Sequence, residues 1–96
     1  MFGNGMMKKI QAMQEKAEEA KLRLNNIKLV GEAKDGAVRV EVNGNGVITD
    51  LRFADDLSNQ EIKELIITAA NRALEQSYRT KEMEMAQSAK GIIPGL

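Results

Sequence analysis

The chain has no cysteine and no histidine. Without cysteine there is no disulfide, no thiolate metal site and no thiol nucleophile. Without histidine the commonest general base and the commonest metal ligand are both missing. Aromatic side chains are nearly absent as well: only Phe2, Phe53 and Tyr78. Such rings supply large buried areas, so the core of this 96-residue chain must rest on alanines, branched aliphatics and six methionines. A domain this small buries only about 60–65% of its unfolded surface, and oligomerisation is a common way to gain the rest. No apolar run approaches the roughly 20 residues of a membrane span, and no signal-peptide hydrophobic region follows Met1. These absences predict one cytoplasmic domain over residues 1–96, with 1–5 and 91–96 as flexible ends and no membrane partner.

Charge is balanced overall but not locally. Residues 1–28 carry six basic side chains against three acidic ones, and residues 29–57 carry the reverse. The neutral total hides a basic first segment beside an acidic middle.

Periodicity sets the architecture. Met6, Ile10, Met13, Ala17, Ala20, Leu24 and Ile27 recur at alternating spacings of four and three, a heptad seam that predicts a long helix from Met6 to about Asn26. Glycines at 3 and 5 oppose helix before it. Asp35-Gly36 is a tight-hairpin signal between Leu29–Lys34 and Ala37–Val42, where Val38, Val40 and Val42 alternate with Arg39 and Glu41. That turn places Glu32 opposite Arg39 and Ala33 opposite Val38. Asn43-Gly44-Asn45-Gly46 is a second turn, leading to a strand over 47–53. A two-residue loop there pairs Val42 with Thr49; a four-residue loop pairs it with Val47. Either way Thr49, Leu51 and Phe53 share the valine face.

Ser58-Asn59-Gln60-Glu61 has the form of a capping box. Ile62, Leu65, Ile66, Ala69, Ala70, Ala73 and Leu74 then form a broad helical stripe, with Ile67 outside it. One side of this helix is expected to cover the sheet and another to meet a partner. Beyond Tyr78 the stripe fades, so the helix should project to about Lys90, where Gly91 and Pro94 end it. The fold class is α+β: helix, three-stranded antiparallel meander, helix.

The chemistry-bearing residue types do not assemble into a catalytic pattern. Gly44-Asn45-Gly46 lacks the Gly-Lys-Ser/Thr of a phosphate loop and reads as a turn. Asp55-Asp56 has no third ligand nearby in sequence and suits solvated acids before a helix. Ser58, Ser77 and Ser88 have no histidine to activate them. The chain is expected to be no enzyme and to hold no metal, cofactor or small-molecule substrate. What stands out is the basic first helix, with Lys8, Lys9, Lys16, Arg23 and Lys28 mostly off the seam. It has no interleaved aromatics for stacking on single-stranded bases, whereas contact with duplex phosphates needs only positive charge.

Several segments together resemble the YbaB/EbfC family of bacterial nucleoid-associated, DNA-binding proteins. They are Met1-Phe2-Gly3, Met6-Met7-Lys8-Lys9, Gln11-Ala12-Met13-Gln14-Glu15-Lys16, Val30-Gly31-Glu32-Ala33, Val38 to Gly44, Thr49-Asp50-Leu51, Ala69 to Leu74 and Pro94-Gly95. The resemblance covers essentially the whole chain. It implies a homodimer whose sheets associate, helices projecting as a pair of tweezer-like arms, duplex DNA as partner, and a role in nucleoid organisation or gene regulation. Carried over, it implies DNA contacts at Lys8, Lys9 and Lys16 in the first helix and at Arg79 and Lys81 in the second. For the dimer interface the expectation falls on Val38, Val40, Val42 and Leu51 of the sheet, with Ile66 and Ile67. One departure is the link Ala54–Asn59, shorter than in many members and without their proline. The competing class is a prefoldin-like helix–hairpin–helix chaperone or scaffold, suggested by the seam and the methionine-rich arms.

Overall fold

A computed structural model describes residues 4–90, in the order α1 (Asn4–Asn25), β1 (Lys28–Ala33), β2 (Val38–Asn43), β3 (Ile48–Phe53) and α2 (Asn59–Lys90). The expected α-β-β-β-α order is present, and the three strands form one antiparallel sheet in the order β1-β2-β3. Residues 1–3 and the apolar 91–96 segment lie outside the described residues. α1 starts at Asn4, earlier than the glycines suggested. In a first turn the amide groups lack helical partners anyway, so a glycine there weakens the helix least.

The first hairpin follows the turn chemistry. Asp35 and Gly36 both have positive φ (53° and 87°), and Ala37 N–H donates to the Lys34 carbonyl at 3.0 Å. Glu32 faces Arg39 and Ala33 faces Val38 as expected.

The second hairpin takes neither expected loop. Asn43 N–H donates to the Val47 carbonyl, which closes a three-residue loop with Gly46 at φ 79°. That loop shifts the register by one residue, and a β-bulge at Thr49 restores it: Val42 faces Ile48, yet Val40 still faces Leu51. The bulge turns Thr49 away from the valine face. Its hydroxyl instead donates to the Glu41 carboxylate at 2.7 Å on the outer face, and Ile48 takes its place among the apolar residues.

The capping box of α2 forms in both directions: Glu61 N–H donates to Ser58 Oγ at 3.2 Å, and Ser58 N–H donates to Glu61 Oε1 at 3.4 Å. α2 then lies across β1 and β2, where Ala69 and Ala73 meet Gly31 and cover Ala33, Val38, Val40 and Val42. A helix about 10 Å across spans about two strands spaced by about 4.8 Å. The third strand is left bare, and all six residues of β3 are exposed.

Candidate nucleic-acid interface

The arm is built where the helices leave the sheet. Leu24 and Ala20 are fully buried. The turn after β2 grips the end of α1: Gly44 N–H donates to the Leu24 carbonyl at 2.8 Å, and Asn45 Nδ2 donates to the Lys21 carbonyl at 3.0 Å. From the other side the buried Ser77 hydroxyl donates to the Asn43 carbonyl at 2.9 Å. Further out, Arg23 Nε donates to Glu84 Oε1 at 2.6 Å and Arg23 Nη2 to Ser88 Oγ at 3.3 Å. These contacts join α1 and α2 as an antiparallel pair, and the molecule extends 66 Å along its longest axis.

The pairing covers only the sheet-proximal part of the seam. Among the described residues, Met6, Ile10 and Met13 stay 41–49% exposed. Seven-residue steps place Lys9, Lys16 and Arg23 on one ridge of α1. Arg23 is spent on Glu84, and Lys16 lies 3.6 Å from Glu19. Lys8 and Lys9 are exposed and form no ion pair among the described residues. The expected α1 cations therefore share one arm, with the least compensated charge near its end.

Arg79 and Lys81 do not join them as one surface. Two residues apart on a helix, they project about 200° apart around α2, and Arg79 is held by Glu75 at 2.6 Å. Arg23, one cation among several on the basic first helix, is the clasp between the two helices, a role that its spacing on α1 does not reveal.

The expected interface residues also divide. Val38, Val40 and Val42 are 0–1% exposed beneath α2 of their own chain, so they have no surface to offer a partner. They alternate like an uncovered face, but α2 is the cover. Ile66 is half-buried, whereas Leu51 (41%) and Ile67 (62%) are open. Ile67, Ala70 and Leu74 occupy the flank of α2 away from Arg72 and Gln76, which reach the carbonyls of β1. That flank looks toward β3, where Leu51 and Phe53 share the inner face with Val40 and Val38. The outcome is an exposed apolar valley between α2 and β3.

Among the described residues no group of three or more Asp or Glu side chains is arranged to hold a metal ion, and no helix is long and apolar enough to cross a membrane.

A sequence profile of the YbaB/EbfC DNA-binding family matches residues 2–92. A nucleoid-associated protein of Chlorobium phaeovibrioides is 33% identical over 90 residues, covering 92% of this chain and 83% of that one. A nucleoid-associated protein of Methylocella silvestris is 32% identical, covering 96% of this chain and 86% of that one. The crystal structure of the uncharacterised protein HP0035 from Helicobacter pylori shares the fold, with a TM-score of 0.69 at 17% identity over 77% of this chain and 90% of that one.

Proposed function

Since the chain belongs to the YbaB/EbfC DNA-binding family, we propose that it acts as a homodimeric nucleoid-associated protein that contacts the backbone of duplex DNA through basic helical arms. The family is a DNA-binding one, not an enzymatic one. The observation that carries the finer reading is the free end of α1, where Lys8 and Lys9 project beyond the contact with α2 without an acidic partner among the described residues. Lys16 continues the same ridge. Positive charge on a rigid rod can approach phosphates without base-specific geometry, and a dimer doubles the number of contacts. Arg79 and Lys81 are secondary contacts in this reading, since they face different ways. The dimer draws on the apolar valley, with Leu51 and Ile67 in the interface and Val38, Val40 and Val42 as core beneath it. The molecule is then a single domain working in the cytoplasm on the nucleoid.

A salt-titrated gel shift on duplex DNA tests this reading. Affinity should fall steeply and linearly on logarithmic axes, the slope counting phosphates neutralised. Absence of binding at low salt would refute it. One observation favours a second reading, a client-holding scaffold: Met6, Met7, Ile10 and Met83 are exposed along the arms. Suppression of aggregation of a denatured client, without DNA binding, would select it.

A further inference from the structure

Where α1 and α2 meet along the arm, a cavity of about 220 Å³ is lined by Lys16, Glu19 and Arg23 of α1 and by Gln87 and Ser88 of α2. Residues three, four and seven apart share a helix face, which sets Lys16 and Arg23 together on one wall against Gln87 and Ser88 on the other. The clasp fixes the inner end of this cavity. Arg23 Nε donates to Glu84 Oε1 at 2.6 Å and Nη2 to Ser88 Oγ at 3.3 Å, leaving Nη1 with no acceptor among the described residues. Ser88 Oγ accepts that bond, so its own proton remains to be donated. Lys16 Nζ lies 3.6 Å from Glu19 Oε2, with both side chains more than half exposed. That distance is too long for a hydrogen bond, and exposed pairs of this kind are weak, so Glu19 can turn to solvent.

The two helices therefore converge four kinds of donor on one space: an ammonium, the unused end of a guanidinium, an amide and a hydroxyl. Glu19 is the only carboxylate among the lining residues. A phosphate group accepts several charge-assisted bonds at once, and the cavity is several times the roughly 30 Å³ of one water. The surroundings select the kind of anion. Lys9 precedes Lys16 by seven residues on the same ridge, about 10 Å further along α1, and forms no ion pair among the described residues. A free phosphate meets the cavity alone, whereas a polymer of phosphates meets the cavity and the ridge together.

We infer that this inter-helical cavity seats one backbone phosphate of duplex DNA, held by Lys16 and Arg23 of α1 and by the uncharged donors Gln87 and Ser88 of α2. This rests on the DNA-binding reading above and deepens it: the contact is shared by both helices of the arm, and two of its residues carry no charge. Arg23 shares its charge with Glu84, so its part in the seat is to direct N–H groups more than to add net charge.

Salt titration tests the seat, because charged contacts release counterions and uncharged ones do not. Gln87→Leu and Ser88→Ala should each weaken duplex binding roughly two- to tenfold, the range for one lost hydrogen bond. The loss should be the same at every salt concentration, with the logarithmic slope unchanged. Lys16→Ala should weaken binding and also lower the slope by about 0.9. Ser88→Asp separates a phosphate seat from a purely structural clasp. Its carboxylate keeps an acceptor for Arg23, so the melting temperature should hold near wild type. The same carboxylate puts negative charge where the phosphate sits, so binding should fall further than in Ser88→Ala. Losses should be equal on two unrelated duplexes, since backbone contacts carry no sequence information. Wild-type affinity in Gln87→Leu, Ser88→Ala and Ser88→Asp, beside a loss in Lys8→Ala/Lys9→Ala, overturns the seat and leaves the basic arm. A loss in Ser88→Asp that only tracks a fall in melting temperature overturns it too, reducing Ser88 to a structural contact. Absence of wild-type binding at low salt overturns the DNA-binding reading itself.

Discussion

Gly31 lies directly beneath Ala73. A Cβ built on Gly31 would stand 2.5 Å from the Ala73 amide nitrogen, and closer still to the Ala69 carbonyl oxygen. Both obstacles are backbone, so no side-chain rotation relieves them. Gly31→Ala should therefore push α2 off the sheet and cost about 3 kcal/mol, the upper part of the usual range for overpacking. In a domain of this size that is a fall in melting temperature on the order of 10–20 °C. Ala73→Gly in the same chain should not rescue it, because the clash is with main chain. Thermal melts of the two variants check both statements.

Much of this arrangement is legible in the residues. Asp35-Gly36 sets the first register to the residue, and Ser58 with Glu61 marks the start of α2. Thr49 shows where reading stops: a three-residue loop followed by a bulge leaves the Val40–Leu51 pair unchanged, so alternation along the strand cannot reveal it. The burial of Val38, Val40 and Val42 was visible as a face, but what covers it depends on the width of one helix against three strands. In the candidate interface the cations were visible one by one. That Arg23 is spent on Glu84, and that Arg79 and Lys81 point apart, follows from how α1 and α2 pack.

The Lys34–Glu61 pair predicts a pH dependence of stability. Lys34 Nζ lies 2.7 Å from Glu61 Oε2. Their hydrogen bond raises the Lys34 pKa, and the same bond, helped by Ser58, lowers that of Glu61. A lowered carboxylate stabilises the fold above its ordinary titration range, and that contribution is lost as pH falls through the lowered value. A raised lysine stabilises below its ordinary range, and loses that contribution as pH rises through the raised value. Glu61→Gln keeps a side-chain oxygen for the Ser58 amide but removes the charge. Urea midpoints of wild type and Glu61→Gln should differ by a small constant amount between about pH 5.5 and 9.5. The curves should converge on both the acid and the alkaline side. Convergence on one side only would mean that the pair is not the cause.

Ion pairing ranks the DNA-contact residues. Lys8 and Lys9 are free of acidic partners among the described residues, while Arg79 is held by Glu75 at 2.6 Å. Lys8→Ala/Lys9→Ala should weaken duplex binding similarly for unrelated sequences. Each lost phosphate contact should lower the logarithmic salt slope by about 0.9. Arg79→Ala should change the slope less, since its charge is already compensated. Fluorescence anisotropy across a salt series, on two unrelated duplexes, measures both. A larger effect at Arg79 would move the contact surface from α1 to the far side of α2.

The α1 seam should divide energetically where its cover ends. Leu24 is fully buried between the turn and α2, whereas Ile10 occupies an equivalent seam position two heptads earlier and is 49% exposed. Leu24→Ala removes buried methyl groups and leaves a cavity, at a cost of about 2–5 kcal/mol. Ile10→Gln, Met6→Gln and Met13→Gln alter side chains that α2 does not cover, so each should stay within about 0.5 kcal/mol of wild type. Glutamine is also a good helix former, so α1 keeps its helical signal in far-UV circular dichroism. Chemical denaturation at two protein concentrations separates the cases. If Ile10→Gln costs as much as Leu24→Ala, and the cost grows with concentration, another chain covers the outer seam in solution and the arm is no longer free along that face.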